Sequence, residues 1–179
     1  MKKIIFVYAL LLPIIIKAQQ QSKHISLYIH GGYKSAAYLK ENSHEHLISE
    51  TETRHHKCII FSAGLQWDIS EKWRIGPSFT YDHFGTKLRS VEYSNLSYLL
   101  RCDRIWKKTK NYSLYSGLAI GAKKVRKFEA EIETEKKKAL GYQINLIGIN
   151  YKFMNRFSLD ANMGWGASGI LNIGASYRF

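Results

Sequence analysis

Asn172-Ile173-Gly174-Ala175-Ser176-Tyr177-Arg178-Phe179 alternates polar and apolar residues up to an aromatic last residue. Strand side chains repeat with period two, so Ile173, Ala175, Tyr177 and Phe179 share one face. Asn172, Gly174, Ser176 and Arg178 share the other. Termini usually fray, so a strand running to the last residue needs a partner to hold it. A closed barrel provides one, because its last strand pairs with its first and leaves no edge. The stretch predicts an all-β chain closed into an antiparallel barrel.

Seven earlier segments alternate in the same way. Around residues 24–36, Ile25, Leu27, Ile29, Gly31 and Tyr33 oppose Ser26, Tyr28, His30, Gly32 and Lys34. Over 58–69, Ile59, Phe61, Ala63, Leu65, Trp67 and Ile69 oppose Ile60, Ser62, Gly64, Gln66 and Asp68. Trp73, Ile75, Phe79 and Tyr81 then oppose Arg74, Gly76, Ser78, Thr80 and Asp82, with Pro77 marking a bulge or ladder defect because it lacks an N–H. In the fourth segment Leu96, Tyr98, Leu100 and Cys102 oppose Asn95, Ser97, Arg101 and Asp103, while Leu99 points inward. The fifth sets Tyr112, Leu114, Leu118, Ile120 and Ala122 against Ser113, Tyr115, Gly117, Ala119, Gly121 and Lys123. The sixth, about 139–152, changes phase between Leu146 and Ile147, which predicts a bulge near 146–148. The seventh sets Phe157, Leu159, Ala161, Met163 and Trp165 against Ser158, Asp160, Asn162 and Gly164.

The connections are uneven. Residues 38–56, 83–93 and 124–138 read as loops, the last of them the most charged; 70–72, 107–111, 153–156 and 166–169 read as tight turns. The turns at 70–72, 107–111 and 153–156 fall on one end, where short periplasmic turns are expected, and the longer loops fall on the other.

At 179 residues the chain makes one domain. Lys2 and Lys3, an apolar run over 4–16 and Lys17-Ala18-Gln19 resemble a secretory signal peptide over residues 1–18, leaving a barrel domain over 19–179. Beyond residue 18 no apolar run approaches the ~20 residues of a spanning helix, so a membrane protein of this sequence must be a barrel. An aromatic content of 13% and a mean hydropathy of −0.28 suit strands apolar on one side only. Of the net charge of +13, Lys2, Lys3 and Lys17 carry three, leaving +10 for residues 19–179. With a secretion signal, that charge points away from nucleic acid and towards anionic lipid or polysaccharide. Cys58 and Cys102 fall at opposite ends of their strands, beyond the ~7 Å limit for a disulfide, and are expected as free thiols. A soluble barrel is the rival reading, with its apolar face turned inward and Arg and Asp facing water.

The terminal spacing of Asn172, Gly174, Tyr177 and Phe179 resembles the signal that outer-membrane barrels present to the barrel assembly machinery. Together with the alternation, the turn asymmetry and the aromatics Trp67, Trp73, Trp106, Tyr112, Phe153 and Phe157 crowding the short-turn end, it makes the chain similar to the small OmpA/OmpX type of outer-membrane barrel. That resemblance implies an eight-stranded up-and-down transmembrane barrel in the bacterial outer membrane, monomeric, with the assembly machinery as partner. It implies work done by extracellular loops: envelope integrity, lipopolysaccharide contact, or adhesion to an outside ligand.

The inward face carries Asp68, Arg74, Asp82, Arg101, Asp103, Lys123, Asp160 and Arg178. Mixed signs in an eight-stranded interior read as a salt-bridged plug, with a narrow pore as the alternative. Lys124, Arg126, Lys127, Lys136 and Lys137 are candidate contacts for lipopolysaccharide phosphates, within a hairpin zipped by opposite charges across its strands. His44, His46, His55 and His56 have the chemistry for a metal, but their spacing on an acidic loop fixes no geometry. A lipid A deacylase would need Ser, His and an acid at the outer leaflet. His24-Ile25-Ser26 lies at the wrong end, and an acyltransferase-like site would draw on Asp82, His83 and Ser90. The reading is therefore no catalysis, no metal and no cofactor.

Overall fold

The computed structural model describes residues 25–43, 58–85, 91–129 and 132–179. Eight antiparallel strands follow one another round a closed barrel: β1 Ile25–Tyr33, β2 Cys58–Ser70, β3 Trp73–Gly85, β4 Val91–Lys108, β5 Tyr112–Glu129, β6 Ile132–Lys152, β7 Phe157–Gly166 and β8 Leu171–Arg178. The terminal strand closes the ring against the first, from Ser26↔Arg178 to Tyr33↔Leu171, and the Phe179 N–H donates to the Ile25 carbonyl at 3.0 Å. The leader over 1–18, the loop histidines, His24 and Ser90 lie outside the described residues.

Facing decides between the two barrel readings. Leu118, Ile120, Leu140, Leu146 and Ile173 are each about 60% exposed or more, whereas Asp103 is fully buried and Arg101 is 6% exposed. The apolar face points out, so the soluble rival is wrong. Leu99 points inward, 4% exposed. Pro77 leaves a gap in the β2–β3 ladder between Gly64↔Ser78 and Trp67↔Ile75, with no change of register across it. The β6 bulge lies between Asn145 and Ile147, and it turns both Leu146 and Ile147 outward. Cys58 and Cys102 are free thiols.

The inside is packed. Asp103 accepts from Gln66 Nε2 (2.6 Å), Arg101 Nε (2.9 Å) and Arg74 Nη2 (3.4 Å). Asp160 accepts from Tyr115 Oη (2.6 Å) and Asn150 Nδ2 (3.3 Å), and His30 Nε2 lies 3.1 Å from it. The Arg74 and Arg101 guanidinium groups lie over the Tyr115 ring at 4.6 and 5.5 Å. Cavities among these side chains hold about 10 Å³ each, room for about one water. Tyr115 fits because its partner across β6 is Gly148, where a Cβ would come within 2.2 Å of the ring. Gly148→Ala is therefore expected to cost ~1–3 kcal/mol by overpacking, read as a lower midpoint in urea unfolding.

Two expectations on the loops are corrected. Residues 83–93 are not one loop: β3 runs to Gly85 and β4 starts at Val91. The polar stretch from Tyr38 is not all loop, since a helix, α1, spans Ala36–Ser43. Lys34, at φ 49°, turns the chain out of β1, and Ser35 caps the helix by accepting the Tyr38 N–H at 3.1 Å. The same hydroxyl donates to Asp82 Oδ2 at 2.7 Å, tying α1 to the barrel mouth.

Candidate functional site at the outer mouth

Strand length sets the shape of the mouth. A strand crosses a bilayer in about 9–11 residues. β1, β7 and β8 have 9, 10 and 8, but β4, β5 and β6 have 18, 18 and 21. The three long strands therefore stand well above a low rim formed by β7, β8 and β1. β6 begins to pair with β7 only at Gln143↔Gly166, so no described strand pairs with residues 132–142 on that side.

Residues 124–129 and 132–138 of the charged stretch form this projecting hairpin, in line with the extended-hairpin reading. The expected cross-strand charge zipper is not what holds it. Lys124 faces Lys138 and Arg126 faces Lys136, and opposite charges meet across the described pairs only at Lys127↔Glu135. The close ion pairs run along the strands, Lys127–Glu129 and Lys137–Glu135. The Glu129 carboxylate beside it holds the Lys127 ammonium above its ordinary range.

Alternation then sorts the five candidate cations. Lys124, Arg126 and Lys136 lie on the outward face, in phase with Ile120 and Ala122. Lys127 and Lys137 lie on the opposite face, each already paired with a glutamate. Lys138, paired with Lys124 and two residues from Lys136, completes the outward group. None of Lys124, Arg126, Lys136 and Lys138 makes an ion pair among the described residues. Below them Lys124 Nζ lies 5.9 Å from the Tyr98 ring centroid. Tyr98, Tyr81, Tyr142 and Trp165 are outward and at least 36% exposed, a second aromatic belt that the sequence reading did not mark.

At the short-turn end, Trp73, Trp106 and Phe157 are outward and 44, 56 and 45% exposed, with Trp67 and Tyr112 partly exposed. Trp106 Nε1 donates to Ser116 Oγ at 3.0 Å. Tyr177 packs between Phe157 and Phe179, at ring distances of 4.9 and 5.1 Å. Asn172 turns inward and donates to Asn162 Oδ1 at 3.0 Å, and a Cβ on Gly174 would come within 2.3 Å of the His30 ring.

Asp82 and His83 do not form an acid–base pair. Neighbours on a strand point to opposite faces: Asp82 is 2% exposed inside, and His83 stacks outside on Tyr81 at 6.4 Å. No cluster of three metal-ligating side chains occurs among the described residues.

Inside the mouth, α1, the inner wall of β4–β6 and the β7–β8 turn enclose a cavity of about 340 Å³. Asn95 and Lys123 line it beside Phe84, Tyr93 and Val125; Lys40 and Glu41 reach it from α1. Tyr93 Oη donates to Glu41 Oε2 at 3.3 Å, and partial burial pushes the Tyr93 phenol up from its usual range.

No protein-family model and no curated protein matches the chain. Solved structures do. The N-terminal β-barrel domain of OprF from Pseudomonas aeruginosa is 8% identical and superposes with a TM-score of 0.53, over 87% of this chain and 97% of that one. Ail, the attachment invasion locus protein of Yersinia pestis, is 16% identical with a TM-score of 0.51, over 88% and 97%. Neisserial surface protein A (NspA) is 12% identical with a TM-score of 0.51, over 88% and 96%. At such identities the likeness is one of fold. The chain has the fold of the small eight-stranded outer-membrane barrels.

Proposed function

We propose that the protein is an integral barrel of the bacterial outer membrane whose projecting β5–β6 hairpin binds the phosphates of lipopolysaccharide. One observation carries the reading. Lys124↔Lys138 and Arg126↔Lys136 put like charges directly opposite each other on the outward face, an arrangement that costs stability unless an anion joins it. Lys and Arg suit phosphate oxygens, and these four stand just above the aromatic belt. The outward Tyr177 and Phe179 remain the proposed contact with the assembly machinery, and a monomer is the proposed state. Integrity and adhesion are then consequences of a hairpin tethered to the outer leaflet.

The test is binding of refolded barrel to lipopolysaccharide micelles. Reversing Lys124, Arg126, Lys136 and Lys138 to Glu is expected to weaken binding at least ten-fold and to flatten its dependence on salt. Reversing Lys127 and Lys137 should change it little. Equal losses in both sets, or none, would overturn the proposal. Location is checked separately: boiled and unboiled samples of the outer-membrane fraction should migrate differently, because a closed barrel resists detergent until heated.

A further inference from the structure

We infer that the mouth cavity binds a lysophospholipid, with its phosphate on Lys123 and its acyl chain leaving sideways over the low rim. The inference does not depend on lipopolysaccharide binding, which uses the other face of the hairpin. The cavity is amphipathic in an ordered way. Lys123 lines it and makes no ion pair or hydrogen bond among the described residues, though it lies within electrostatic reach of Asp82 and Glu41. Asn95 is 2% exposed; its amide donates to Asp82 Oδ2 at 3.1 Å while its Oδ1 has no partner among the described residues. An unmet buried acceptor costs about 1–3 kcal/mol, so it marks a place for a donor. A ligand suited to both groups carries an anion and a hydroxyl close together, as the phosphate and free glycerol hydroxyl of a lysophospholipid do.

The rest of the lining fixes the other end of the ligand. Ala139 and Gly141 face the cavity, yet the outward Leu140 and Tyr142 line it too, together with Gly166 and Ala167. Inner and outer wall residues share one cavity here because β6 lacks a neighbouring strand above Gln143. Past the Tyr142 carbonyl, which accepts the Ala167 N–H at 2.9 Å, no described strand continues the wall. A chain leaving through that gap meets Leu140, 67% exposed, on the lipid-facing side. The volume falls within the roughly 300–1,000 Å³ of small-molecule sites.

The experiment uses the full barrel in bilayer nanodiscs and a lysophosphatidic acid carrying a photoreactive diazirine near the end of its chain. Label is expected to concentrate on residues 139–142 and 166–167 above the level round the rest of the lipid-facing belt. Lys123→Ala should reduce that excess at least ten-fold, and so should Ala139→Trp, which fills the cavity beside Lys123 while leaving the net charge unchanged. Heat-shifted gel mobility confirms that both variants are closed barrels. Unlabelled lysophosphatidic acid should compete, and a monoacylglycerol, lacking the phosphate, should not. Uniform labelling round the belt, or excess labelling untouched by both variants, would overturn the site. Equal competition by monoacylglycerol would overturn the anionic head, and full competition by inorganic phosphate alone would overturn the chain.

Discussion

Asp103→Leu is expected to lower the unfolding free energy of the barrel by about 3–5 kcal/mol, the typical cost of removing one partner from a buried ion pair. Asp103 is fully buried and is the shared acceptor for Arg101, Arg74 and Gln66. Without it Arg101, 6% exposed, keeps no hydrogen bond or close ion pair among the described residues, and is left with the faces of Tyr28 and Tyr115 at 5.1 and 5.5 Å and the more distant charge of Asp160. Those contacts attract a cation but neither neutralise it nor satisfy its N–H groups. Arg74 is better placed to survive, since its side chain is 11% exposed. The loss should therefore come mainly from the stranded Arg101 guanidinium. Adding Arg101→Leu to Asp103→Leu is expected to recover most of it. Urea titration of the reconstituted barrel measures both variants. A loss below ~1 kcal/mol in the single variant, or no recovery in the double, would mean that the lumen network does not hold charge as paired charge.

The architecture was open to sequence reading because one period governs it. Each of the eight segments repeats at two, and a one-residue slip would turn a whole apolar row into the lumen. Some of the irregularities could be read, though not the register shifts at Asp68/Ser70 and Ile105/Lys107. The adjacent outward residues Leu146 and Ile147 require an extra residue, and the bulge is there. What the period does not carry is partner choice. Asp160 was counted among the plug charges, but its partners His30 and Tyr115 come from β1 and β5 and no local pattern pairs them. Strand ends were also misjudged, because hydropathy stops marking a strand once it leaves the bilayer. Lys-rich residues 124–129 and 132–138 stay in the ladder through backbone bonds that composition does not show. The helix over α1 left a clearer trace. Ser35 followed by Ala36-Ala37 is a cap before good helix formers, and it was hidden by the polar residues after it.

The same uncoupling of backbone from hydropathy explains the mouth. Continuing β4, β5 and β6 while β7 and β8 stop near the membrane costs no ladder between the long strands. It leaves one edge of β6 without a partner strand among the described residues, and Lys136, Lys137 and Lys138 sit on that edge. Charged edges discourage pairing with other strands. The asymmetry thus places cations, a free edge and a sideways opening at one spot on the rim, where an anionic lipid head can meet both faces of the hairpin.

Arginine at Leu118 and arginine at Ala119 should fail in different ways, although the two positions are adjacent. Leu118 is 61% exposed on the outer wall, six residues from Tyr112 at the short-turn girdle and six from Lys124 at the outer end. It is therefore near the middle of the span. Arginine there is expected to cost ~2–4 kcal/mol, the penalty for a cation at the bilayer midplane, while still giving a closed barrel. Ala119 is 4% exposed and faces Arg101 on one side and Gln143 on the other. Arginine there must fit a lumen whose cavities hold about one water, and it opposes a like charge across the ladder. It should abolish the heat-shifted band altogether. In lipid-free detergent micelles, whose apolar layer is thin and deformable, the Leu118→Arg penalty should shrink and the Ala119→Arg defect should persist. Equal and negligible effects at both positions would mean that the wall does not face lipid.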